Sequence, residues 1–248
     1  MIGKLIPRAA LSADDVSEMY ALFSNFFAGV SERRFRTDLE EKQWIIRLMR
    51  GSELCGFSSL RFSRHTHRDK PIAVLSSGDT IMAPEARSTT VLARTWIGAV
   101  NQLRRFYGEP DLFWLLLVSG FRTYRLLPVF WQEFYPCYGK STPSGVQEEM
   151  HAVASTLFGA QYSLLDGVVR FQEPQVLKPE HNGIPAARRD DPHVNFFVGR
   201  NPAHSQGDEL VCWARLCQEN LTRAGARMWH ATAGSTEQRL DWPCVPSP

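Results

Sequence analysis

Arg87, Ser88, Thr89 and Thr90 stand in a row inside the stretch 71–96, PIAVLSSGDTIMAPEARSTTVLARTW, where a buried strand runs through a Pro-containing turn into a helix. Unpaired backbone N–H groups and the positive end of the helix dipole point out of such a junction, so these side chains there suit an anion. The same residues also have a purely structural reading, because Ser and Thr commonly start helices. Ser76-Ser77-Gly78 lacks the G-x-S-x-G spacing of a nucleophile elbow, and Ser119-Gly120 makes no better case. His65 and His67 lie in a basic loop with no carboxylate partner, so no metal is expected there. Cys137 beside Tyr138 has no neighbour in sequence that would activate its thiol.

The elements that must position the junction follow from hydrophobic period and caps. A strand over 4–11 ends at Ser12, an N-cap with Asp14 and Asp15 behind it, and a helix follows whose Val16, Met19, Tyr20, Phe23 and Phe27 form one apolar face. After Gly29 come a charged helix over about 32–42 and two antiparallel strands, 44–49 and 54–62, around the turn Arg50-Gly51-Ser52. Residues 65–70 read as a polar loop and 71–82 as the third strand of the run. The clearest helix is 89–107, with Leu92, Trp96, Ala99, Leu103 and Phe106 on one side and Gly108 closing it. The apolar run 112–118 has the pattern of a strand buried on both faces, as in a parallel pairing. A helical stretch 121–135, broken or restarted at Pro128, completes a βαβα unit whose ligand belongs at the carboxyl ends of its strands. Beyond Pro136 the pattern predicts a helix at 146–158, a strand at 168–171, and a Pro-rich, mostly irregular segment 172–206 with a strand at 193–198. Asp208 reads as the cap of a last helix carrying Leu210, Trp213, Ala214, Cys217, Leu221, Ala224 and Met228, and the tail from 233 as loose.

Composition narrows the function classes. With 44% hydrophobic and 22% charged residues, the 248-residue chain buries a real core. A net charge of +2 is far from the footprint of a dedicated nucleic-acid binder, and the basic clusters at 33–36 and 64–70 read as solvated faces. Five scattered cysteines without a C-x-x-C pair fit reduced thiols and leave no structural zinc set. No stretch reads as a signal peptide, and the run 112–118 is too short to span a bilayer, so the expectation is a cytoplasmic protein without a membrane span.

The order strand, two helices, three antiparallel strands, helix, strand, helix resembles the GNAT superfamily of N-acyltransferases over residues 4 to about 140, with the strand expected at 193–198 as a further candidate member of its sheet. Ala83-Pro84-Glu85-Ala86 matches the approach to that family's pyrophosphate loop, and Arg87 stands at the first position of its Arg/Gln-x-x-Gly-x-Gly/Ala motif. Thr90 and Leu92 occupy the two glycine positions, which narrows the approach of backbone to phosphate oxygens. Either the hydroxyls of Ser88, Thr89 and Thr90 donate to phosphate instead, or the pyrophosphate of CoA is not gripped here. In the second case the donor is a phosphopantetheine arm on a carrier protein, or there is no donor.

The resemblance implies a mixed α/β fold, a mostly antiparallel sheet with one splayed parallel pair. It places a GNAT-like core at 1–140, an extension at 141–232 that completes the sheet, and a tail at 233–248. The implied activity is transfer of an acyl group from acetyl-CoA, a longer acyl-CoA or an acyl carrier protein to a small-molecule amine by direct attack. Ile81, Met82, Arg87, Ser88, Thr89 and Thr90 would bind the donor, with oxyanion support from backbone N–H near Ile81 and Met82. Tyr135, four residues before Gly139, would be the acid on the leaving thiolate, its other reading being a buried aromatic. Asp79 would orient or deprotonate the amine, its other reading being a structural Asp at a bulge beside Gly78. Asp38 and Glu41 could touch the acceptor or simply face solvent. The alternative to an enzyme is a GNAT-like binding module without catalysis.

Overall fold

The computed structural model describes residues 1–87 and 89–233, with side chains as far as Trp229. In chain order the elements are β1 (Ile2–Pro7), α1 (Ala13–Ser24), β2 (Phe27–Ala28), α2 (Glu32–Glu40), β3 (Trp44–Arg50), β4 (Glu53–His67) and β5 (Lys70–Met82). There follow α3 (Val91–Tyr107), β6 (Leu112–Val118), α4 (Phe121–Tyr124), α5 (Leu126–Phe130) and α6 (Ser144–Phe158). The last are β7 (Tyr162–Ser163), β8 (Val168–Val169), β9 (Val176–Leu177), α7 (Pro179–Asn182), α8 (Pro192–Arg200), β10 (Glu209–Arg215) and α9 (Arg223–Ala233).

One mixed sheet of order β1-β3-β4-β5-β6-β10-β8-β7 carries the fold, and β2 pairs with β9 apart from it. Only β5 and β6 run parallel; the other ladders are antiparallel. This is the mostly antiparallel sheet with one splayed parallel pair that the resemblance implies. Alternation along the strands separates the two faces. Trp44, Ile46 and Leu48 of β3 and Trp114 and Leu116 of β6 pack with Leu92, Trp96 and Leu103 of α3. On the other face, Ile45 and Phe57 pack with Met19 and Phe23 of α1 and Phe35 of α2. Further along that face, Leu115, Val211 and Trp213 pack with Met150 and Val153 of α6. Local signals explain the helix ends. Ser12 and Asp15 form a capping box on α1, and Gly108 closes α3 in the left-handed conformation at φ 67°. No helix among the described residues is long and apolar enough to cross a membrane.

Four expectations are corrected. The loop expected at 65–70 is hairpin: β4 reaches His67, β5 starts at Lys70, and Arg68-Asp69 form a two-residue turn at φ 49° and 61°. The strand expected at 193–198 is the helix α8, because Asp191 accepts from the backbone N–H of His193 and Val194 and Pro192 fits the first turn. The helix expected after Asp208 is β10 up to Arg215, and only 223–233 is helical. Its run Leu210–Ala214 is buried on both faces, paired along its length with β6 and meeting β8 at Leu210, an environment that a one-sided helix stripe cannot fill. The helical stretch expected at 121–135 stops at Phe130; Trp131 is extended and pairs with Leu221. The tail from 234 lies outside the described residues.

Candidate active site

The parallel ladder of β5 and β6 runs from Ala73↔Leu112 to Ser77↔Leu116 and then stops. Trp114 Nε1 donates to Ser77 Oγ at 2.9 Å on the last rung. Beyond it β5 keeps β4 as a partner through Met82, whereas β6 continues with β10 alone. The strands splay, and one edge of Gly78–Met82 opens on a cavity of about 670 Å³. Its walls include Leu92, Leu116 and Phe121 from the α3 side and Leu115, Leu117, Leu157 and Phe158 from the α6 side, so it passes through the plane of the sheet.

A slip in β5 turns Asp79 into this space. Leu75 and Ile81 have the same parity and would share a face in a regular strand, yet Leu75 packs under α3 and Ile81 packs with α1 and α2. The change of face occurs where Gly78 and Asp79 together oppose Ser59, between the pairs Leu60↔Ser77 and Ser58↔Thr80. Gly78 leaves room there: a Cβ would come within 2.6 Å of Ser59 Oγ and 3.1 Å of Lys42 Cε, so those side chains would have to move. The bulge that the structural reading of Asp79 called for is present, but Asp79 makes no side-chain hydrogen bond or ion pair among the described residues.

Two carboxyls meet at this end of the sheet. Burial, and then the charge of Asp38, push the Asp79 pKa up to about 7, with Lys42 and Arg34 pulling the other way. Glu209, at the start of β10, also lines the cavity; burial, then Asp79 and Asp38, push it up to about 8. Both side chains keep some accessible surface while lying deep in the fold. The neighbouring cations are already engaged, Lys42 with Asp38 at 3.0 Å, Arg61 with Glu41 at 2.8 Å and Arg34 with Glu173 at 3.4 Å. No cluster of three or more His, Cys, Asp or Glu side chains placed to hold a metal occurs among the described residues.

The opposite mouth is cationic. Arg87 lies over the Phe26 ring at 5.3 Å and donates from Nε to Met82 O at 3.3 Å. Arg122, at the start of α4, donates to the carbonyls of His181 and Gly183. Burial and then the charge of Arg122 lower the Arg87 pKa, so the two guanidiniums feel one another. Neither has a carboxylate within ion-pair distance among the described residues, and each keeps N–H groups unused.

The residues singled out in the sequence are therefore divided. Asp79, Ile81, Met82 and Arg87 line the cavity, together with Asp38 and Glu41. Thr89 donates its hydroxyl to Ala86 O at 2.9 Å, Thr90 makes no side-chain cap, and neither is on the cavity wall. Ser88 lies outside the described residues. Leu92, at the second glycine position, is buried and forms part of the wall. Tyr135 is not on a helix: it exchanges backbone hydrogen bonds with Trp213, at 2.8 and 2.7 Å, and its side chain is away from the cavity. Tyr124 is buried and bonded to Pro136 O at 2.9 Å, and Tyr138 is half exposed. Glu209 and Arg122 are the residues that sequence reading missed. The run 209–215 carried the same signal as 112–118, which would have marked a buried strand with Glu209 at its mouth.

No family model and no curated protein matches the chain. Among solved structures, a probable N-acyltransferase from Enterococcus faecalis is 14% identical at a TM-score of 0.43, covering 54% of this chain and 33% of that one. A GCN5-related N-acetyltransferase from Kribbella flavida is 16% identical at 0.40, covering 53% and 33%. A ribosomal-protein alanine N-acetyltransferase from Escherichia coli is 10% identical at 0.43, covering 87% and 94%. The chain spans about a third of the length of the first two. These are loose likenesses.

Proposed function

We propose that the chain is an acyltransferase that moves an acyl group from a phosphopantetheine thioester to an amine. One observation carries the reading: the β5/β6 splay opens a cavity through the sheet with two spare guanidiniums at one mouth and unpaired carboxyls at the other. The open edge of Gly78–Met82 offers backbone donors and acceptors to the amides of a pantetheine arm, a strand-like pairing that needs no particular side chains. Arg87 and Arg122 would hold its phosphates by charge-assisted hydrogen bonds, which answers the loss of glycine at Thr90 and Leu92. The thioester carbonyl carbon would then lie near Asp79. As a carboxylate, Asp79 takes a proton from the acceptor's ammonium, and the amine so freed attacks that carbon; the second proton that the nitrogen sheds in becoming an amide goes to the departing thiolate. The backbone N–H groups near Ile81 and Met82 bear the charge that develops on the carbonyl oxygen as the amine adds, and the charge returns to the carbonyl as the carbon–sulfur bond breaks and the thiolate leaves. Acetyl-CoA, a longer acyl-CoA and an acylated carrier protein all present this arm, and a protein carrying it would not need the pyrophosphate grip.

Thermal melting with acetyl-CoA, free CoA, a long-chain acyl-CoA and an acylated carrier protein tests the reading. At a hundredfold excess over Kd, a ligand of the native state alone adds about 2.7 kcal/mol, a Tm rise of roughly 5–10 °C for a chain of this size. The rise is expected with at least one donor and is expected to vanish in Arg87→Ala/Arg122→Ala. No rise with any of the four would sink the proposal. A rise without acyl transfer to any amine would point to the binding module.

A further inference from the structure

The acyl-transfer reading, on which the following inference rests, asks for one base. The cavity holds a second carboxyl, Glu209, whose position at the head of β10 follows from the strand register. Val211 pairs with Leu117 and Leu210 with Val118, so Glu209 stands beside the end of β6, on the face shared by Val211 and α6. The slip in β5 turns Asp79 onto that same face. Two unpartnered carboxyls at the same mouth of the cavity are costly to keep ionised, because poor solvation opposes the ionisation of each and the charge of one opposes that of the other. A cation between them removes that cost. Among the described residues no cation does so: Lys42, Arg61 and Arg34 are each bound to another acid.

The surroundings narrow which cation fits. Leu115 and Leu117 of β6, Leu157 and Phe158 of α6, and Phe171 line the neighbouring wall. Phe158 meets Phe171 edge to face at 6.3 Å between ring centroids. The extension thus supplies an apolar surface beside the carboxyls. With its nearby guanidinium and ammonium groups already paired, this end of the cavity has no ready counter-ion for an acceptor that carries a carboxylate.

We propose that Asp79 and Glu209 bind the acceptor as an ammonium ion with an apolar body seated against Leu117, Leu157, Phe158 and Phe171, and that the acceptor is a hydrophobic primary amine without a carboxylate. Glu209 holds the ammonium; Asp79, facing the thioester, takes its proton. Entry of the cation favours the ionised carboxyls, so binding near neutral pH releases protons from the pair.

Calorimetric titration of the full chain, with free CoA present and absent, tests this with 2-phenylethylamine, 2-phenylethanol and phenylalanine. The amine is expected to bind; the alcohol, lacking the charge, and phenylalanine, bearing the carboxylate, are expected to bind at least tenfold more weakly. The amine's binding enthalpy is expected to vary with the ionisation enthalpy of the buffer, which reports the released protons. Glu209→Gln is expected to weaken the amine at least tenfold and to reduce the proton release, while keeping the donor-induced Tm rise. Equal binding of alcohol and amine, equal binding of phenylalanine, no binding of the amine under either condition, or unchanged amine affinity in Glu209→Gln would each overturn the proposal. Absence of a donor-induced Tm rise in the wild type bears on acyl transfer instead, so the two failures are distinguishable.

Discussion

Burial of the Asp79 and Glu209 carboxyls carries a thermodynamic cost, and that cost has a measurable sign. In the unfolded chain both carboxyls titrate near 4, whereas in the fold they are pushed up to about 7 and about 8. A raised carboxyl means that the native state holds the proton more tightly than the unfolded state. Its contribution is therefore fully present below about pH 4, falls as pH rises, and is gone above about pH 8. Glu209→Gln mimics the protonated side chain and never ionises. In urea unfolding the variant is expected to match the wild type at pH 4 and to be more stable at pH 9. Equal loss of stability at both pH values would mean that the carboxyl is structurally bonded rather than waiting for a cation.

At the scale of elements, the long β4–β5 hairpin carries the site, since its second strand holds the bulge and the open edge. The polar run 65–70 looked like a loop because charged residues at the tip of a hairpin project into water on both faces. Its turn shows the constraint: Arg68 and Asp69 both take positive φ, where a side chain is strained and glycine is not. Asp69→Gly is expected to stabilise the protein by about 0.5 kcal/mol in chemical denaturation, the relief of strain being partly offset by unfolded-chain entropy. A loss would mean that the Asp69 side chain holds the tip. The helix α8 teaches the converse lesson. Asp191-Pro192 was a legible helix start, overridden in the reading by the β-branched and aromatic residues that follow.

At the scale of the whole molecule, one sheet takes strands from both sides of residue 140. β6 lies between β5 and β10, and α3 packs against α9, so the extension closes one side of the sheet that the first 140 residues build. Leu210, Val211, Cys212, Trp213 and Ala214 of β10 are all buried. Burying each large apolar side chain contributes about 1.5–3 kcal/mol, so removing the strand erases much of a net stability of about 5–15 kcal/mol. A chain ended at residue 140 is expected to show no cooperative transition in calorimetry, whereas the full chain is expected to melt cooperatively. A sharp transition in the shorter chain would make the extension an accessory.

What the sequence determined by itself is local. The Ser12 cap, the Gly108 stop, the buried runs of β5 and β6 and the strand-to-helix junction at Arg87 each follow from period, propensity and caps within a few residues. They were enough to imply a parallel pairing of β5 and β6 and to bring Arg87 forward; the mixed sheet and the choice of Asp79, Ile81 and Met82 came with the resemblance. The tertiary structure decided which distant groups share the cavity. Arg122 comes to Arg87 only because β6 ends where β5 splays, and Glu209 comes to Asp79 only because β10 joins β6 in one register and a single slip turns β5 over. It also carried Tyr135 away into a bridge with Trp213. Caps and periods report each residue's own backbone, whereas charge coupling across a cavity depends on register between strands remote in sequence, and no local pattern encodes it.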